Sequence, residues 1–104
     1  MIERVWLARA ANRENFNSYE AYFRRVVLPE LNAVSGYRGA KLVQRDRDGG
    51  VEIIVVTYWD SLDAVRGFAG DDINRAHVRP EAAALFTDYD RSARHYEIVF
   101  EERR

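Results

Sequence analysis

A chain of 104 residues holds one hydrophobic core, because half that length could not bury enough apolar surface to stand alone. Hydrophobic residues at 47% and charged residues at 32% exclude both a disordered chain and a membrane span. The absence of cysteine removes disulfides, thiolate catalysis, iron–sulfur clusters and cysteine-ligated zinc, and a net charge of −1 with basic residues scattered among acids makes nucleic acid a poor partner.

The opening MIERVWLARA carries Glu3, Arg4 and Arg9 where a signal peptide needs an unbroken apolar stretch, so a cytoplasmic location is expected, with no membrane partner. Val5 and Trp6 sit in a short apolar run, and a first strand is predicted over Ile2–Ala10. After a polar break at Asn12–Asn15, apolar residues at Phe16, Tyr19, Phe23, Val26, Val27, Leu31 and Val34 follow three-and-four spacing, which predicts an amphipathic helix ending near Ser35-Gly36. Pro29 lacks an amide hydrogen, so this helix is expected to bend or loosen just before Leu28, or to continue only with a kink.

Tyr37–Arg45 and Val51–Trp59 read as two strands of a hairpin, joined by a segment ending in Asp48-Gly49-Gly50 that readily takes positive φ angles. Asp60 or Ser61 is placed to cap a helix, with Asp63 supporting its first amides and Leu62, Val65, Phe68 and Ala69 as its buried stripe; Gly70-Asp71-Asp72 ends it. Ile73–Tyr89 reads as a weak turn and then a helix opening at Pro80, and Ala93–Glu101 as a last strand. The order is that of a single α+β domain over residues 1–104, a ferredoxin-like βαββαβ antiparallel sheet with helices on one face. Ile53, Ile54, Val55 and Val56 put apolar side chains on both faces of the central strand, so the face without helices is also expected to be dry. A second copy of the sheet is the economical cover, which predicts a homodimer through the β-sheet.

No stretch matches a phosphate-binding loop, a dinucleotide fingerprint, a His-x-x-x-His metal pair or a nucleophile elbow, so no cofactor or metal is expected. The candidate polar groups are His77, which could move a proton or ligate haem iron, or be no more than a polar residue at a helix junction; His95 in the last strand, a base or a simple hydrogen-bonding residue; and Arg79, which could pair with an anionic oxygen. Trp59 either walls a pocket for a flat ligand or closes the end of the core. The aromatics Phe16, Tyr19, Tyr22, Phe23, Phe68 and Phe86 are mostly core by their spacing, with Tyr22, Phe23 and Phe68 the candidates to shape a pocket.

The combination of LPEL and GYRGA, then EIIVVTYWDSLDAVRGFAG, then RPEA and a closing HYEIVF resembles the antibiotic biosynthesis monooxygenase family over nearly the whole chain. The resemblance implies a dimeric α/β barrel, two ferredoxin-like sheets face to face, with a pocket between each sheet and its helices. It also implies a cofactor-independent oxygenase acting on a flat aromatic or phenolic substrate, whose own deprotonated ring passes an electron to dioxygen. Trp59 matches a tryptophan of the quinone-forming subgroup and Arg79 falls near its pocket arginine, whereas Val55 and Val65 stand where that subgroup has Asn and Tyr. In a haem-degrading branch His77 approximates the axial histidine, but Phe68 occupies the tryptophan position and the first strand has no Asn. The expected function is therefore a cofactor-free monooxygenase for a small aromatic molecule, set against a non-catalytic binding or stress-related module of the same fold and against a haem-binding protein.

Overall fold

A computed structural model describes all 104 residues. Strand β1 (Ile2–Ala10) alternates as a sheet with one packed face requires, with Arg4, Trp6, Ala8 and Ala10 buried and the residues between them only half-buried. Strand β3 (Gly50–Trp59) lies antiparallel to it along its full length, from Ile2 opposite Trp59 to Ala10 opposite Val51. Strand β2 (Tyr37–Arg47) pairs with the other edge of β3. The two-residue turn between them is Asp48-Gly49, with φ of 51° and 83°, the positive pair whose twist suits a tight hairpin.

Two short strands, β4 (Phe86–Tyr89) and β5 (Arg94–Glu97), pair with opposite ends of β1, giving the order β2-β3-β1-β4 with β5 also on β1. This is the βαββαβ sheet with its last strand broken in two. The sequence suggested helix up to Tyr89 and one strand over Ala93–Glu101; instead Phe86–Tyr89 is strand and β5 stops at Glu97. Phe86 and Tyr89 pack their rings against Trp6, at 5.8 and 6.2 Å, and that packing outweighs helix propensity. At the break the chain turns to other partners: the Asp90 carbonyl accepts from the Trp6 indole at 2.8 Å, and Ala76 and Ala93 amides donate to the Arg91 and Asn74 carbonyls at 2.9 and 2.8 Å.

Helix α1 (Arg13–Tyr22) starts where the Asn12 side chain accepts from the Asn15 amide at 2.8 Å. It passes through a π-helical turn at Phe23–Val27, in which the Leu28 amide reaches back to the Phe23 carbonyl, into α2 (Leu28–Asn32). Pro29 explains the loosening: its ring would collide with the carbonyl four residues earlier, and the widened turn moves that carbonyl aside. Ser61 caps α3 (Leu62–Ala69) by accepting from the Ala64 amide at 3.2 Å. Asp63 pairs with Arg66 rather than with the first amides, and Leu62 is largely exposed, so Val65 and Ala69 carry the buried stripe. A single turn, α4 (Pro80–Ala83), precedes β4.

The helices cover the sheet face that holds Trp6, Ala8, Ile53 and Trp59. The alternate residues of the opposite face are Val5, Leu7, Ile54 and Val56, in register as Val5–Val56 and Leu7–Ile54, with Glu3, Arg9, Lys41 and Glu52 around them. No helix is long and apolar enough to cross a membrane.

Candidate functional site

A cavity of about 360 Å³ opens between the sheet and the helical layer. Its sheet side is a patch of two cross-strand pairs, Arg4 opposite Thr57 and Trp6 opposite Val55, all on the inward register of β1 and β3. From the helical side come Tyr19, Tyr22 and Phe23, whose three-and-four spacing puts them on one stripe, together with Val27, Leu31 and Phe68. The segment Ala76–Arg79 completes the wall. Twelve of the eighteen lining residues are hydrophobic, which suits a flat apolar guest.

The aromatic rings form a connected set. Tyr19 lies 4.9 Å from Phe86 and 6.3 Å from Phe23, centre to centre. Burial, with the neighbouring Tyr22, pushes the Tyr19 phenol well above the usual tyrosine range, so it stays neutral. Phe68 has the Arg4 guanidinium 5.9 Å from its ring centre and the Trp59 ring, tilted by 34°, also at 5.9 Å. Trp59 itself is fully buried behind Phe68, edge-on to Tyr37, with its indole donating to the Thr57 hydroxyl at 2.8 Å. It closes the core and does not line the cavity.

The polar candidates separate in the same way. His77 lines the cavity, and its Nε2 lies 2.9 Å from the Ala69 carbonyl at the end of α3. A carbonyl only accepts, so Nε2 carries the proton, and in the neutral ring Nδ1 keeps the lone pair. Arg79 also lines the cavity but is held by Glu30, at 2.5 Å, which keeps its charge satisfied and raises its pKa. His95 is not part of the wall; it stands on β5 directly opposite Arg4. Both of its ring nitrogens are shut off from solvent without a partner, and burial followed by the charge of Arg4 pulls its pKa below the usual histidine value.

Arg4 is the residue that sequence reasoning passed over. It is nine-tenths buried and makes no ion pair; its Nη2 donates only long bonds, 3.4 Å each, to the Ile73 and Arg75 carbonyls, and its Nε has no partner at all. Burial pushes its pKa down to about 10. The signal was present in the alternation of β1, whose inward series Ile2, Arg4, Trp6, Ala8, Ala10 contains one charge among apolar residues.

An α+β sheet with helices on one face and an aromatic cavity between the layers defines a ferredoxin-like domain. The family model for antibiotic biosynthesis monooxygenases matches residues 7–80, well over half of the chain, and the chain belongs to that family. No curated protein matches it. Among solved structures it is similar to the haem-degrader MhuD from Mycobacterium tuberculosis with two haems bound in its active site, at 18% identity and a TM-score of 0.65, covering 98% of this chain and 99% of that one. It is also similar to a candidate antibiotic biosynthesis monooxygenase from Bacillus cereus, at 10% identity and a TM-score of 0.64, covering 99% and 95%. Likeness at these identities is a likeness of fold.

Proposed function

We propose that the chain binds a flat aromatic or phenolic molecule in the cavity between sheet and helices and oxygenates it without a cofactor. The observation that carries this reading is the lining itself, in which Trp6, Tyr19, Tyr22, Phe23 and Phe68 surround a space also lined by His77, an exposed imidazole engaged through Nε2. With an anthrone-type substrate, a ring methylene gives up both hydrogens to one atom of dioxygen, which leaves as water, and takes the other atom as a carbonyl oxygen. His77 Nδ1 accepts the first proton, the resulting carbanion or phenolate passes an electron to dioxygen, and the aromatic wall excludes water from the radical pair. Family membership supports the reaction class.

Haem is the second reading, favoured by the position of His77 on the cavity wall and by the haem-degrader of the same fold. The residues do not fit it as they stand. The Nε2 that an axial histidine would offer is committed as a donor to Ala69, so ligation requires that bond to break and the ring to turn.

Oxygen uptake with a panel of hydroquinones and anthrones tests the enzyme reading. Turnover above the uncatalysed rate is expected with at least one of them, falling about 10²-fold or more in His77→Ala, the least that a positioned base ordinarily contributes. Tight binding without oxygen uptake would make the domain a binding module. A Soret band on adding haemin, lost in His77→Ala, would favour haem.

A further inference from the structure

We infer that Arg4, backed by His95 on the adjacent strand, is the seat for the anionic group of the cavity's ligand, so that the molecule bound is an aromatic carboxylate rather than a neutral ring system. This rests on the aromatic pocket proposed above and names the chemistry of its occupant. A guanidinium nine-tenths removed from water ordinarily faces a carboxylate, and this one faces none. Its contacts to the Ile73 and Arg75 carbonyls are long, neutralise no charge, and leave Nε without an acceptor. Pinning that loop would explain Nη2 alone.

Three buried nitrogens without partners therefore belong to one cross-strand pair: Arg4 Nε, and Nδ1 and Nε2 of His95 on the adjacent strand. The two side chains are direct cross-strand neighbours on the same face, close enough for the charge of Arg4 to be felt at the imidazole. An anion between or beside its members stabilises such a pair. The donor geometry favours a carboxylate, since a guanidinium presents paired N–H groups, a fork that matches two carboxylate oxygens, and the long Nη2 bonds to the two carbonyls are weak enough to be exchanged for it. Phe68, against the Arg4 guanidinium, sets the ring plane beside the charge.

The other cavity charges do not offer this. Arg79 is matched by Glu30, and His77 is tied to Ala69. A ligand carboxylate at Arg4 would lie against the sheet, while the ring system extends between Tyr19, Tyr22 and Phe23.

The test uses two probes of one shape, anthracene-2-carboxylate and anthracene-2-carboxamide, titrated by fluorescence into the full chain. The carboxylate is expected to bind at least tenfold more tightly, and Arg4→Met to bring the two probes within a factor of two while still binding the amide. His95→Phe is expected to lower the preference severalfold. Equal binding of both probes to the native chain would overturn the anion seat and leave the aromatic pocket standing; binding of neither would remove the pocket and the seat with it. A preference that survives Arg4→Met would also overturn it, since the charge would then be read elsewhere. Should Arg4→Met fail to fold, Arg4→Lys keeps the charge but not the fork: a preference reduced at least threefold supports the seat, and an unchanged one overturns it.

Discussion

At the scale of single residues, the chain keeps an uncomfortable pair in its interior. His95 has a depressed pKa because burial disfavours its charged form and protonation would place a second positive charge beside Arg4. Its folded pKa lies below its unfolded one, so the unfolded chain binds the proton more readily. The stability this contributes is complete above the ordinary histidine value near 6.5 and drains away as pH falls through that value toward the folded pKa. Glu52, held below its usual range by hydrogen bonds from Arg45 and Arg47, and Asp60, held down by Arg38, lose their contributions only further down, through the carboxylate range. Urea unfolding at stepped pH is therefore expected to show stability falling in two stages, the first beginning near the ordinary histidine value and absent from His95→Gln. A first stage of equal size in both proteins would mean that His95 titrates as it does in the unfolded chain.

At the scale of elements, the helical layer is seated on the sheet through a few close approaches. Gly36, at the entry to β2, has φ of 88°, and a methyl group there would come within 2.6 Å of the Ala64 Cβ on α3. The Gly36 carbonyl also accepts from the Asp60 amide at 2.9 Å, which ties the start of β2 to the turn before α3. Gly36→Ala thus combines a left-handed backbone with an overpacked contact, and about 2 to 4 kcal/mol of lost stability is expected by urea unfolding. A loss under about 1 kcal/mol would show that α3 can slide away freely. Signals of this local kind are what made β1, the β2–β3 hairpin, the Ser61 cap and the loosening before Pro29 legible in the sequence, because period-two alternation, positive-φ turn residues and a missing amide act on near neighbours. The broken last strand was not legible, since it depends on the Asp90 carbonyl meeting Trp6, 84 residues away. The same holds for the site: the stripe of Tyr22 and Phe23 follows from spacing, whereas Trp59 sits behind Phe68, and Arg4 lacks a counter-charge, only once the strands are aligned around β1.

At the scale of the whole molecule, the sheet face away from the helices has an apolar centre and a charged margin. Val5, Leu7, Ile54 and Val56 are adjacent across β1 and β3, and Val43 of β2 extends the patch beside Ile54 with 40% of its surface exposed. Around them stand Glu3, Arg9, Lys41, Arg45 and Glu52, a mixture of signs that can meet its own copy across a two-fold axis without net repulsion. Stacking two such faces would remove what Val5, Leu7, Val43 and Ile54 still show to water, a side chain taken from full exposure to full burial being worth about 1.5 to 3 kcal/mol, while Val56 is already buried in the single chain. The expected state is an isologous dimer, giving twice the chain mass by sedimentation equilibrium at micromolar concentration. Ile54→Lys puts a cation at the centre of the patch, where a second sheet would strip it of water, and should shift the sedimenting species to the single-chain mass. It should leave the cavity's affinity for an aromatic probe within about threefold, because Ile54 is on the opposite side of the sheet from Val55 and Thr57. A native chain that sediments as a stable, folded single copy would mean that the apolar centre is covered by no second sheet.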